Sequence, residues 1–487
     1  MSCRNTLLTE INRRHDPLTR RLPPEILCRI FKFYTSINEE KETWSSLSYL
    51  LPNNKCLTLL LGAVCRDWRW LAWSTPKLWR SIRINFKRAD DWNCVDIVKQ
   101  CLDRSGKRPL FIQLTCCLSS IEGTWDHQGA LQGLISVVNS FSDRWQSLEM
   151  HCAPEILPLI CGNTHGAPTL RRLFIKLRDS DDLLPPPQGY IFSLTGMNSP
   201  VYLEARGINF QSLAINWSQV TRITFETAMP LYEGAQLLRH APQLVHCTLT
   251  DICDSKVGYS QAEAGTPFVH RQLQNLSIDN YYGKKLNLFF NNFLFPALKQ
   301  FGLFNCPHYE LDVITDLFQR SSCSLESLML SDAICTTEQL RRLLDTSPSL
   351  HKLELASCDA VVEPDPMEIL RFLAATADGT MSLLPNLQHL HYFTDSYTWT
   401  AELWALTPKV LGIQDIHSPN RRQLKTLSFD ISGDIGDKEL GDLICKDKNV
   451  VMRLADAVRS GTEIELLHYS SRDVLKLSLA HHQLTLS

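Results

Sequence analysis

Apolar residues return along most of this chain in one short phrase, apolar-x-x-apolar-x-apolar. The clearest copies are Trp145/Leu148/Met150, Leu170/Leu173/Ile175, Val220/Ile223/Phe225, Leu244/Cys247/Leu249, Leu273/Leu276/Ile278, Leu298/Phe301/Leu303, Leu325/Leu328/Leu330, Leu350/Leu353/Leu355, Leu387/Leu390/Tyr392 and Leu424/Leu427/Phe429. The second and third apolar positions of each copy alternate with other residues, the period of a strand with one buried face. Successive copies start mostly about 25 residues apart, or about twice that where Val201-Tyr202-Leu203 holds a blurred copy, and the last two gaps are 37. Pro168, Pro242, Pro296, Pro348 and Pro385 each stand two residues before the first apolar position, a punctuation more specific than the triplet itself. Between the strands the pattern predicts helices over Tyr232 to His240, Leu311 to Arg320, Thr337 to Leu344 and Met367 to Ala374. A unit of strand, turn, helix and proline cannot bury its own apolar face, so the copies are expected to stack into a curved solenoid with strands inside and helices outside. A strand at Arg80 to Phe86, a helix through Trp92, Val95, Val98 and Leu102 closed by Ser105-Gly106-Lys107-Arg108-Pro109, and a strand at Leu110 to Leu114 lead into the repeats.

The stretch Leu22 to Trp79 is patterned differently. Leu22 before a proline is biased to extended backbone, Pro24 suits a first helical turn, and Glu25 favours the positive helix end. Ile26, Leu27, Ile30, Phe31 and Tyr34 then form one stripe, and Leu57, Leu60, Leu61, Val64, Trp68 and Leu71 fall on one face of a second segment, followed by Leu78-Trp79. Helices this short bury too little to stand alone, so their stripes call for a partner. The order Leu-Pro-Pro-Glu-Ile-Leu, Ile-Phe, Val-Cys-Arg-x-Trp, Leu-Trp resembles an F-box, the helical module that docks on the Skp-family adaptor of cullin–RING ubiquitin ligases. The interval Ser36 to Cys56 is roughly twenty residues longer than that family's usual connection, an insertion that costs little as a surface loop. Cys306 and Cys358, three residues after Leu303 and Leu355, resemble the cysteine position of leucine-rich repeats found behind F-boxes. With Trp217-Ser218-Gln219-Val220, Leu237-Leu238-Arg239 and Ala241-Pro242-Gln243-Leu244, the chain is similar to the large fungal F-box family.

Composition narrows the field without adding chemistry. A hydrophobic content of 44%, a charged content of 21% and a formal net charge of -3 describe an ordinary globular protein and give no case for nucleic acid. No apolar run reaches membrane-spanning length, and no signal-peptide core stands at the start. The 17 cysteines lack Cys-x-x-Cys spacing and read as reduced, mostly buried thiols, Cys116-Cys117 among them. No phosphate-cradling, nucleophile-elbow or zinc-protease motif occurs, so no cofactor or catalytic residue is expected. Asp430, Asp434, Asp437, Glu439 and Asp442 miss calcium-loop spacing and read as a solvated acidic turn. His389 and His391 point the same way on a strand but lack a third metal ligand.

The expected fold is therefore α/β, in four stretches: an N-terminal arm (1–21), the F-box-like module (22–80, insertion 36–56), the solenoid (81–432) and a capping segment (433–487). The resemblance implies a cytoplasmic or nuclear, non-catalytic subunit that recognises targets for an SCF-type ubiquitin ligase. The alternative is a leucine-rich scaffold or inhibitor whose N-terminal helices only cap the first repeat. The expected adaptor contacts are Leu22, Pro23, Pro24, Ile26, Leu27, Ile30, Val64, Cys65, Trp68, Leu71 and Trp79. Strand alternation puts Arg172, Phe174, Lys176, Arg222, Thr224, Glu226, His246, Gln300 and Glu354 on the concave face, with the target groove at Phe304, Met329 and Phe393, rimmed by Lys352 and His391.

Overall fold

A computed structural model describes residues 21–35, 57–86, 92–116, 126–177, 189–194, 199–254, 267–281, 283–306, 310–331, 336–357, 366–375, 384–394, 399–412, 424–432, 443–469 and 472–485. The insertion 36–56, most of the N-terminal arm, Cys117, Cys358 and the acidic stretch 433–442 lie outside these residues. The chain is mixed α/β, and its strands pair mostly in parallel. It divides into two compact units, Met1–Thr227 and Ala228–Ser487.

The first unit opens with helices α1 (Pro24–Thr35), α2 (Leu57–Val64) and α3 (Arg66–Trp73), then a 3-10 turn over Pro76–Trp79. The Pro23 carbonyl accepts the Ile26 and Leu27 amides, so α1 begins where the missing proline N–H does no harm. Leu27 and Phe31 are its buried face, and the Phe31 ring lies 4.7 Å from Trp68. Each such side chain contributes about 1.5–3 kcal/mol of burial. The expected single face from Leu57 to Leu71 does not form. Cys65 is extended (φ -153°, ψ 172°), and its Sγ caps α3 by accepting the Trp68 amide, so two helices replace one. The break rotates Leu71 into the core while Val64 stays outside. Trp79 closes the bundle: its indole N–H donates to the Ala72 carbonyl at 2.8 Å.

The chain then passes through β1 (Ser81–Phe86), α4 (Trp92–Arg104), β2 (Leu110–Cys116), α5 (Asp126–Ser140), β3 (Trp145–Cys152), β4 (Arg172–Leu177), β5 (Phe192–Ser193), β6 (Tyr202–Arg206), β7 (Leu213–Ala214) and β8 (Arg222–Pro230). Strands β1, β2, β3, β4, β6 and β8 are parallel neighbours in that order. The blurred copy at Val201-Tyr202-Leu203 is thus a full member, β6.

The second unit runs α6 (Leu231–His240), β9 (His246–Cys253), β10 (Phe268–Val269), β11 (Asn275–Asp279), α7 (Leu286–Asn291), β12 (Phe293–Leu294), β13 (Gln300–Phe304), α8 (Leu311–Ser321), β14 (Ser327–Ser331), α9 (Thr337–Asp345) and β15 (Lys352–Ser357). It continues with α10 (Pro366–Ala375), β16 (His389–Thr394), α11 (Ala401–Val410), β17 (Thr426–Ile431), α12 (Lys448–Arg459), β18 (Glu463–His468), β19 (Arg472–Asp473) and α13 (Val474–His481). From β9 through β11, β13 and onward to β18 every pairing is parallel, and β19 turns back antiparallel on β18. The sheet therefore runs on into the stretch assigned to the cap.

The proline punctuation has a direct cause. Leu170, Leu244, Leu298, Leu350 and Leu387 each donate their amide to the carbonyl three residues back, at Ala167, Ala241, Phe295, Ser347 and Leu384. Each proline is therefore the second residue of a β-turn, where its fixed φ is favoured and its missing N–H is not needed. The turn aims the first leucine of the triplet into the core, and the strand follows. Cys306 is buried, its thiol 3.0 Å from the Phe304 carbonyl, so it serves turn backbone as its position suggested.

Candidate functional site

Three surfaces gather the residues singled out in the sequence. On the N-terminal helices, Pro23 and Pro24 are exposed, as are Ile26 (39%), Ile30 (43%) and Val64 (53%). Leu22, Cys65 and Trp68 are half-buried. Leu27, Leu71 and Trp79 are inside the unit at 1–6% exposure, so these three expected adaptor contacts hold the helices together instead. The most exposed apolar groups are ones the stripe argument missed: Phe33 at 78% and Trp70 at 68%. The signal was present in each helix as an aromatic residue two places from a buried one, Phe31 for Phe33 and Ala72 for Trp70.

The open face of the first unit is a charged network. Register aligns Arg83, Gln113, Glu149, Phe174, Glu204 and Thr224 in one row, and Asn85, Thr115, His151, Lys176, Arg206 and Glu226 in the next. Glu149 is buried, and one of its oxygens accepts from Gln113 Nε2 at 2.9 Å and lies 2.7 Å from His151 Nε2. Burial lowers the Arg83 pKa, opposed by the Glu149 charge. His151 stacks on Phe174 at 5.2 Å, and Arg206 covers the same ring at 5.6 Å. Arg206 reaches Glu204 at 2.7 Å and Glu226 at 3.0 Å. Burial works to lower its pKa, but those carboxylates hold it above the ordinary value. Tyr202 donates to Glu204 at 2.6 Å, and burial with that bond raises its pKa. Phe174, expected on the concave face, is thus packed against two side chains of its own unit.

The open face of the second unit is hollowed. Phe304, Met329, His391 and Phe393 line one depression of about 280 Å³, together with Ser331, Glu354, Ala356, Ser428 and Asp430. Lys352, expected on the rim, does not line it; its Nζ is held by Glu354 Oε1 at 2.6 Å, two residues further along β15. The hollow has a cause in side-chain size. Across the strands, Ala356 is paired with Ser331 on one side and Phe393 on the other, and Phe393 with Asp430. Small residues therefore sit between two rings. Gly302 adds to this: a Cβ there would come within 2.8 Å of the Phe304 ring, so glycine lets the ring lie back along its own strand. Asp430, read from the sequence as part of an acidic turn, is a strand residue on this face.

At the far end of these strands, Asp251, Asn280 and Asn305 adopt positive φ (62°, 55° and 49°). Asn280 donates to Asp251 and Asn305 to Asp279, each at 3.0 Å, so amide side chains tie successive turns. Asp and Asn tolerate this left-handed geometry better than other non-glycine residues. Burial lowers the His389 pKa, with His391, Lys425 and Lys352 adding to it, and its ring meets Thr426 Oγ1 at 3.1 Å. Among the described residues no group of three or more His, Cys, Asp or Glu side chains is arranged to hold a metal ion. Cys152 and Cys247 are buried thiols while Cys253 is exposed: burial pushes Cys247 up to about 12, and raises Cys152 as well. No family model matches the chain, and no curated protein matches it.

Proposed function

We propose that this chain is the target-recognition subunit of an SCF-type cullin–RING ubiquitin ligase. In this reading residues 22–80 are an F-box that docks on the Skp-family adaptor, and the strand-turn-helix copies from 81 onward are a leucine-rich-repeat-like solenoid that holds the target. The observation that carries it is the outer surface of the N-terminal helices. Their inner residues Leu27, Phe31, Leu71 and Trp79 already complete a core, yet Ile26, Ile30, Phe33, Val64 and Trp70 remain in solvent. Apolar groups left out of a finished core mark an interaction surface. The chain would make and break no bonds itself; it would raise the effective concentration of a target lysine near a ubiquitin-loaded enzyme on the same scaffold, in cytosol or nucleus.

Co-purification of the full chain with a Skp-family adaptor tests the reading. The wild type is expected to bind at equal stoichiometry, and Ile30→Glu with Val64→Glu to lose capture while keeping its thermal unfolding transition. A wild type that ignores the adaptor leaves the alternative, a scaffold whose helices merely cap the sheet.

A further inference from the structure

The hollow on the second unit is more than an apolar recess, because the face around it is acidic. On the described strand positions that share its side, Asp279, Glu354, Asp430, Glu463 and Glu465 stand against one cation, Lys352, with Lys425 just before β17 adding a second positive charge near His389. Two of those carboxylates, Glu354 and Asp430, are in the lining itself, beside Phe304, Met329 and Phe393. Strand spacing of about 4.8 Å puts the Cα atoms of Phe304 and Phe393, three strands apart, roughly 14 Å from each other, with Ser331 and Ala356 as the floor between. Walls that are aromatic and thioether, with carboxylates at the mouth, suit a side chain with an apolar stem and a cationic head. An anionic or purely aliphatic group would satisfy one half of that lining and be penalised by the other.

We propose that this depression receives an arginine or lysine side chain from a basic segment of a partner protein, its stem against Phe304, Met329 and Phe393 and its charge facing Glu354 and Asp430. Lys352 already holds one oxygen of Glu354 and keeps that carboxylate in place at the lower edge. Arginine suits the site better than lysine, because its planar, weakly hydrated head can stack on a ring while bonding a carboxylate. The inference rests on the reading above only in calling the partner a ubiquitylation target; the recognition chemistry stands on this face alone.

The test uses the full chain and blocked, dye-labelled peptides of about nine residues, serine alternating with arginine, lysine, glutamine or glutamate, followed by fluorescence anisotropy. Arginine and lysine peptides are expected to bind at least about tenfold tighter than the glutamine peptide, with affinity falling about tenfold between about 0.05 M and about 0.5 M salt, and the glutamate peptide not to bind. Asp430→Asn and Glu354→Gln should each weaken the arginine peptide several-fold. Ala356→Leu fills the floor without changing charge and should weaken it as much, which separates insertion from diffuse attraction. Equal binding of arginine and glutamine peptides, or wild-type binding by Ala356→Leu, overturns the proposal. Adaptor capture by the same preparations is scored separately: its loss with peptide binding kept defeats the ligase reading and leaves this one standing, and the reverse defeats this one alone.

Discussion

The two open sheet faces are made from the same alternation of side chains, yet one is closed on itself and the other is not. On the first unit the strand positions carry Arg83, Arg172, Lys176, Arg206 and Arg222 against Glu149, Glu204 and Glu226, a basic excess. Much of that charge is spent internally, through Gln113, Glu149 and His151 on one side of Phe174 and Arg206, Glu204 and Glu226 on the other. On the second unit the excess on the described strand positions is acidic, and the apolar residues Phe304, Met329 and Phe393 surround a hollow that none of the described side chains fills. A sheet face whose side chains satisfy one another is a structural surface. One whose large residues stand around small ones has room for something else.

The largest effect that separates the two faces should come from Glu149→Ala. Its carboxylate is buried, and its loss strips a partner from Gln113 and His151 and a counter-charge from Arg83. Removing one member of a buried charged network leaves the others unpaired, at a cost of about 3 kcal/mol. Urea unfolding followed by tryptophan fluorescence would register this as a lower midpoint. An unchanged midpoint would show that the first face is not held by its own network, and the contrast would collapse.

Phe393→Ser should do much less to stability, about 1 kcal/mol, because the ring is only half-buried and its removal enlarges an existing hollow. Its larger consequence is expected in ligand capture, where the arginine peptide should lose several-fold in affinity. A loss of stability as large as that of Glu149→Ala would mean that the second face is also structural. Gly302→Ala sharpens the same point: the new methyl must displace the Phe304 ring, and peptide affinity should change with little shift in the unfolding midpoint.

The strands were legible because period-two alternation survives in nearly every copy, and the proline before each triplet marks a turn whose geometry needs that residue. What failed depended on a backbone event or on pairing between distant copies. The break at Cys65 comes from one extended residue capped by its own thiol, which a face count from Leu57 to Leu71 passes over. Leu27, Leu71 and Trp79 lie inside the unit for a different reason: a stripe says which residues are apolar but not which of them the rest of the unit covers. Phe304, Met329, His391 and Phe393 could be placed on one face from alternation alone. Ser331 and Ala356 could not be recognised as the floor, because a small residue makes a hollow only when register sets it between large ones. Phe174 looked as available as Phe393, and only the alignment of His151 and Arg206 beside it shows otherwise.

The smallest expected effect contrasts two buried carboxylates. Glu149 in the first unit has Gln113 and His151 on one oxygen. Glu233, on α6 of the second unit, is also buried, with Tyr232 donating to one oxygen at 3.2 Å and the other oxygen without a hydrogen-bond partner. Burial raises the Glu233 pKa, and the Tyr232 bond offsets this only in part. A carboxyl whose folded pKa lies above its unfolded one binds more protons in the folded state. Its contribution to stability is therefore fully present below the unfolded value, near 4.5, and is lost as pH rises through the folded value. Glu233→Gln removes that titration. Its packing cost is the same at every pH, so the informative quantity is the difference in unfolding free energy between variant and wild type, measured by urea titration from about pH 4 to pH 7. That difference should move in favour of the variant as pH rises through the window and then level off. A flat difference would show that Glu233 is no more burdened by burial than a solvated carboxylate, and that the second unit tolerates a half-partnered acid in its core without a penalty that pH can reveal.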